Sequence, residues 1–391
     1  MSVRQSFVPG QDRPDALLVG ITAVLLAIGL LMVASASIAL GDRQHGAAFY
    51  FFERQLFAAA LGLAAGWCMA KIPTRLWQSL GSWLAAVALG MLVLVLIPGL
   101  GNTVNGSTRW LSIAGFNLVQ VSEPARLMLL MYVADYAVRR NDEVRSGLWG
   151  FCKPLAIVGA AAGLLLLQPD FGSAVLLLGI SFAVLFVAGA RIRDVFAVII
   201  PVVIGFAVLA KVSPYRMRRL MGFWNPWADP YGDGFQLTQS LIAIGTGEWT
   251  GLGLGASVQK LFYLPEAHTD FIFAVIAEEF GLVGSLVMIT LYGALIWRTF
   301  AIARAAAERE APFQAYMAFG LGVWLAIQAA INLGVNMGVL PTKGLTLPLV
   351  SYGRSSLIVT LAALGVLLRI DLENRGLAGT GRRRVNGRVA R

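Results

Sequence analysis

The chain has 391 residues, 58% of them hydrophobic and 13% charged, with a mean hydropathy of +0.73. That apolar content excludes an ordinary water-soluble domain and points to an all-α polytopic membrane protein. The formal net charge of +10 would suit a nucleic-acid binder, but the basic residues sit mostly in short loops and a terminal tail, so no nucleic acid is expected as a partner.

Runs of roughly 17–25 apolar residues give ten expected membrane helices. They start near Ala16, Gln55, Leu76, Ser122, Pro154, Phe171, Val195, Phe271, Phe313 and Ser355. Residues 1–15 form a polar leading segment that runs into a span too long for a cleavable signal core. Residues 16–370 form the membrane domain, and 371–391 a basic tail, expected to be disordered and to meet anionic lipid. Lys71, Arg75, Arg139, Arg140, Arg145, Arg191, Arg298 and Arg304 fall on one side with the tail. By the excess of Lys and Arg, that side is cytoplasmic and carries both termini. Cys68 and Cys152 are on or near it, where a disulfide is not expected, and they have no metal-ligand spacing.

The opposite side then carries one long loop, about 212–269, between the seventh and eighth spans. Loops of that length in a compact protein are usually functional. Met217, Leu220, Met221 and Trp224 recur at helical spacing, with Arg216, Arg218 and Arg219 on the other face. The pattern suits a short interfacial helix, which either anchors the loop or attracts an anionic lipid headgroup. Gly234 to Ile244 can form a second helix. Gly251-Leu252-Gly253-Leu254-Gly255-Ala256 imitates a dinucleotide fingerprint, but it follows no strand and opens no βαβ unit. Its glycines are better read as allowing close backbone packing.

Outer-side cations run against the orientation bias. Arg109, Arg126, Lys260, Lys343 and Arg354 join the loop arginines there. They either pair with acids such as Glu123 and Glu266 or meet a phosphate-bearing lipid. Glu123 and Arg126, at i and i+3, can share one helix face as an internal ion pair or as substrate contacts. Gln328, Asn332 and Asn336 form an amide stripe, read first as interhelical hydrogen bonding.

The run Leu264–Glu279, LPEAHTDFIFAVIAEE, is the most informative. A carboxylate at or within a membrane is a functional-site hypothesis by default. Asp270 stands where loop becomes span. Glu278 lies roughly 12 Å further along a helix and suits a structural role. His268 can orient Asp270 or a substrate. Asp170 fits a tight turn.

These residues resemble a known family. LPEAHTDFIFAVIAEE, NPWADPYGDGFQLTQSLIAIG from Asn225, LPTKGLTLPLVSYG from Leu340, NGSTRWL from Asn105, VQVSEPARL and QPDFG are similar to the SEDS proteins of shape, elongation, division and sporulation. The likeness covers nearly the whole chain and is greater to the division branch than to the rod-shape branch. It implies ten membrane helices, peptidoglycan glycosyltransferase activity on lipid II, and a complex with a class B penicillin-binding transpeptidase and other division proteins. It places the essential loop aspartate on Asp270, and activity-linked or cavity positions on Arg109, Glu123, Arg126, Glu266 and Lys343. Two positions depart from the family pattern, which usually has Lys at Arg126 and Gly at Arg354.

The expected chemistry is attack by a sugar hydroxyl on a lipid-linked donor. A general base contributes ~10²–10⁴ in rate, and cations stabilise the pyrophosphate leaving group. No metal cluster is evident, so a divalent cation, Mg or Mn, would arrive with the pyrophosphate. A lipid II flippase and a non-catalytic division scaffold are the alternatives. A flippase should need polar groups through the whole membrane depth, whereas here they concentrate towards the outer half.

Overall fold

The carboxylate of Asp15 accepts from Leu18 N at 3.0 Å and caps the first helix, α1 (Ala16–His45), satisfying one of its orphan donors. In the computed structural model the described residues are 14–386, apart from 105, 114–115, 213–216, 219–221, 233 and 342–343. After α1 come α2 (Tyr50–Lys71), α3 (Thr74–Ser79), α4 (Gly81–Leu94), α5 (Ser122–Arg139), α6 (Asn141–Ser146), α7 (Leu148–Leu167), α8 (Phe171–Val187) and α9 (Ile192–Val212). Then follow α10 (Phe235–Thr246), α11 (Ile272–Ala307), α12 (Pro312–Asn336) and α13 (Arg354–Asn386). Helix α10 is the second loop helix expected from the sequence. Much of the first, including Arg216, Arg219, Leu220 and Met221, lies outside the described residues.

Among the described residues, five helices are long and apolar enough to cross a membrane: α1, α7, α11, α12 and the Arg354–Gly376 part of α13. Helices α4 and α8 are apolar but shorter. The chain is therefore a multi-pass membrane protein. Helices α2 and α13 pack most extensively, and small residues explain why. Gly62 and Gly66 form a GxxxG pair on α2. A Cβ on Gly365 of α13 would lie 2.1 Å from Gly66 O, so the two backbones touch.

One feature corrects the sequence reading. The all-α expectation missed a three-stranded antiparallel sheet, β1 (Gly101–Val104), β2 (Ser107–Ile113) and β3 (Phe116–Gln120). Asn-Gly at 105–106 is a hairpin signal, and the Thr103 and Thr108 hydroxyls meet across it at 2.8 Å. The basic segment expected from 371 starts within α13, which runs to Asn386. Asp371 and Asn374 are buried, and Asn374 Nδ2 donates to Ile302 O at 3.2 Å, so packing carries the helix past the apolar run.

The bundle has two chemically distinct ends. At one, Arg298 and Arg375 pair with Asp15, and Thr74 and Gln314 bind Glu373. The start of α1 and the far part of α13 thus share that end. At the other lie Gln55, Gln120, Asp170, His268, Asp270 and Ser351.

Candidate active site

Asp270 lies two residues before α11 and is half-buried. Its main-chain carbonyl accepts from Asn332 Nδ2 and Asn336 Nδ2, each at 2.9 Å. Asn336 Oδ1 accepts from Ala274 N at 3.1 Å, in the first turn of α11, a donor it shares with Phe271 O. Asn332 also donates to Leu345 O at 2.8 Å, and Gln328 Nε2 to Thr346 O at 2.9 Å. The amide stripe of α12 therefore ties together the Asp270 turn and the 344–353 segment. A Cβ on Gly344 would lie 3.2 Å from Asp270 Oδ2, so the carboxylate sits against bare backbone there.

The same stripe leads to the buried pair. Arg126 Nη1 lies 3.2 Å from Glu123 Oε2 and 3.3 Å from Gln328 Oε1, and Trp324 stacks beneath the guanidinium at 5.0 Å. Arg126 is 1% exposed. Its charge is consumed inside the bundle, joining α5, α8 and α12 through Ser173. Ser173 Oγ donates to Asp170 Oδ2 at 2.9 Å, and Asp170 caps α8. Arg109, on β2, reaches Asp170 at 3.8 Å and donates to Pro169 O at 2.6 Å. Polar contacts along α12 thus lead from the Asp270 turn to Gln328, and on through Arg126, Ser173 and Asp170 to Arg109. Of these two cations, Arg109 has the more accessible side chain.

His268 is buried against Phe51 and Tyr352, at ring distances of 4.9 and 5.3 Å. Burial holds its imidazole below the ordinary value, and the Glu266 carboxylate pulls the other way. Its carbonyl accepts from Tyr352 N at 2.9 Å. Glu266 is exposed and accepts from Thr269 Oγ1 at 2.6 Å. The expected substrate cations Arg216 and Lys343 lie outside the described residues.

The two deeper acids serve the loop. Glu278 accepts from Ser257 Oγ, from Val258 N at 3.0 Å and from Gln259 N at 3.3 Å. Glu279, fully buried, takes Lys260 Nζ at 2.7 Å and Ser35 Oγ at 2.8 Å. Helix α11 breaks at Gly281 (φ 65°), and the glycine-rich loop fills the break. Leu252 N and Gly253 N donate to Glu278 O and Glu279 O, each at 3.0 Å. Leu282 N and Val283 N donate to Glu248 O and Trp249 O, at 2.9 and 3.1 Å. These four bonds reuse backbone groups freed by the break. Sequence reasoning missed Gln55, buried at 1%, whose signal was a lone amide near the start of an apolar run. Among the described residues no group of three or more His, Cys, Asp or Glu side chains is arranged to hold a metal ion.

The sequence profile of the FtsW/RodA/SpoVE group, described as cell cycle proteins, matches residues 15–376. The chain belongs to this family. A family member from Thioalkalivibrio sulfidiphilus, named probable peptidoglycan glycosyltransferase FtsW, is 54% identical over 349 residues, covering 89% of this chain and 87% of the relative. One of the same name from Coxiella burnetii is 49% identical, covering 92% and 96%. Among solved structures, a chain of a peptidoglycan synthase complex that coordinates polymerisation and crosslinking aligns with a TM-score of 0.75 at 30% identity, covering 93% of this chain and 99% of that one. The rod shape determining protein RodA of Thermus thermophilus aligns with a TM-score of 0.67 at 30% identity, covering 93% and 98%. The family's fold is thus the fold of this chain.

Proposed function

We propose that this chain is a peptidoglycan glycosyltransferase of the FtsW type. It polymerises lipid II into glycan strands at the outer face of the cytoplasmic (inner) membrane, at the division septum. The activity follows from FtsW relatives about half identical over nine-tenths of the chain. The observation that carries the mechanism is Asp270, a half-buried carboxylate on a backbone clamped by two buried amides.

In this reading the chain crosses the membrane ten times, with both termini cytoplasmic and the 212–269 loop outside. Low hydropathy in α5 does not oppose this, because Glu123, Arg126 and Asp135 are buried and paired within the protein. The acceptor is the 4-hydroxyl of the lipid II N-acetylglucosamine. Asp270 takes its proton as the oxygen attacks the anomeric carbon of the growing strand. The bond to undecaprenyl pyrophosphate breaks, with inversion. The leaving group departs as an anion, so Arg109 and Lys343 need only stabilise charge. A divalent cation, Mg or Mn, would come with the pyrophosphate and supply further charge neutralisation. Glu123 and Arg126 hold α5 against α12, behind the 344–353 wall of the site, and His268 and Glu266 shape its mouth. The partner is a class B, FtsI-like transpeptidase that crosslinks the product, within a larger division complex. The neighbour from a peptidoglycan synthase complex supports such a pairing.

The test is glycan synthesis by the chain purified with its transpeptidase and supplied with lipid II in detergent. Native protein makes strands, and Asp270→Asn and Asp270→Ala lose ~10²–10⁴ of the rate while the complex still forms. Polymerisation that survives both substitutions overturns the base assignment.

A further inference from the structure

At the Asp270 end of the bundle, Gln55 of α2 binds the segment that leads into α13. Gln55 Nε2 donates to Ser351 O at 3.1 Å, and Gln55 Oε1 accepts from Gly353 N at 3.2 Å. Each half of this clasp is flanked by an arginine: Arg54 precedes Gln55, and Arg354 follows Gly353. The clasp therefore brings together the backbones that carry two cations from residues 300 apart in sequence.

Neither cation is neutralised. Among the described residues, no carboxylate lies within 4.0 Å of Arg54 or Arg354. Arg126, Lys260 and Arg109, at the same end, are paired with Glu123, Glu279 and Asp170. Arg54 instead lies 4.1 Å over the Tyr50 ring, exposed to solvent or headgroups. Both guanidinium charges reach the Tyr352 phenol: burial pushes that hydroxyl up, while Arg354 and then Arg54 pull it back. The phenol stays protonated and makes no hydrogen bond among the described residues. Its ring packs on Phe51 and on His268, two residues before Asp270.

Two guanidinium groups and one hydroxyl donor, with no counter-charge among the described residues, match the oxygens of a phosphate ester. The aromatic floor of Tyr50, Phe51 and Tyr352 is suited to the membrane interface. We propose that Arg54, Arg354 and Tyr352 form a phosphate-binding subsite beside the Asp270 mouth, and that it takes the pyrophosphate of a polyprenyl lipid. The phosphate chemistry stands on the arginine pair; the identity of the lipid rests on the glycosyltransferase reading. The subsite would hold the lipid-linked end of a sugar at the edge of the membrane while the sugar faces Asp270.

The experiment measures binding, independently of turnover. The full chain, in its transpeptidase complex, is placed in phosphatidylcholine nanodiscs and titrated with undecaprenyl pyrophosphate or with dioleoylphosphatidylglycerol, read by native mass spectrometry. Arg54→Gln and Arg354→Gln should each weaken undecaprenyl pyrophosphate about tenfold, and the double variant about a hundredfold. Tyr352→Phe should cost a smaller factor, and the double Arg→Lys variant should recover most of the binding. Phosphatidylglycerol should change less than about threefold. Equal loss for phosphatidylglycerol would overturn the polyprenyl assignment and identify a headgroup site. Unchanged binding of both lipids, in a double variant with native unfolding temperature, overturns the subsite itself. Failure of the native complex to make glycan would instead count against the proposed function, leaving the binding arm readable.

Discussion

Asn332 donates its side-chain amide to the main-chain carbonyl of Asp270 at 2.9 Å, and Asn336 does the same one turn further along α12. Two buried amides therefore hold the peptide of the proposed base, and its carboxylate lies beside Gly344. Hydrogen bonds to the main-chain carbonyl position the residue through its backbone.

Replacing either amide by leucine should separate placement from stability. Asn332→Leu or Asn336→Leu leaves a buried carbonyl short of one donor, at a cost of ~1–2 kcal/mol. The double variant should lose about tenfold or more in kcat, with little change in KM. Steady-state lipid II polymerisation beside thermal unfolding checks this, and an unaltered kcat in the folded double variant would remove the positioning role.

The Lys260–Glu279 pair links the outer loop to α11 and, through Ser35, to α1. Its side chains are 9% and 0% exposed, so removing one partner strands a buried charge. Lys260→Met should destabilise by ~3–5 kcal/mol. Adding Glu279→Gln should return much of that loss. A double-mutant cycle on unfolding in detergent measures the coupling, which is expected to exceed ~1 kcal/mol.

Gly251 and Gly255 look alike in sequence and differ in the fold. Both have positive φ, +79° and +81°, but a Cβ on Gly251 would lie 2.2 Å from Glu279 O, and one on Gly255 meets nothing within 4 Å. Gly255→Ala should cost only backbone strain, ~1–2 kcal/mol. Gly251→Ala must also push the loop out of the α11 break, with a larger loss of stability and of glycan synthesis. Comparing unfolding temperatures of the two variants decides between them.

His268 gives the protein an acid sensitivity. Its folded-state affinity for protons is lowered, chiefly by burial. The unfolded chain binds a proton near pH ~6.5 that the fold refuses. Stability is thus fully present above that pH and falls as pH drops below it, by at most ~1.4 kcal/mol per unit until the folded imidazole itself titrates. Unfolding midpoints between pH 7.5 and 5 should show this slope, and His268→Gln should flatten it.

Much of the architecture was readable because membrane spans are written in composition. Ala16, Ser122 and Phe171 mark helix starts to within a residue, and the loop helix at 235–246 is nearly where turn residues placed it. The sheet at 101–120 was missed because its strands are short and their pairing is non-local. The amide stripe of α12 was visible, but its target was not: Asp270 lies 62 residues from Asn332, and only packing shows that they meet. Glu123 and Arg126 were legible as a helix pair, whereas burial among Gln328, Ser173 and Trp324 could not be read from i, i+3 spacing.

By itself, the sequence determined the class of the molecule, the family to which it belongs, and the boundary carboxylate worth suspecting. These follow from hydropathy, from the cost of charge near lipid, and from long local motifs. Only the tertiary structure decided what each polar group is for. It spent Arg126, Lys260 and Glu279 on internal pairing, used the glycine loop to repair a broken helix, and left Arg54 and Arg354 without a counter-charge among the described residues. The reason is physical: partner choice depends on contacts between residues far apart in the chain, and a buried charge must find its partner wherever the fold brings one within reach.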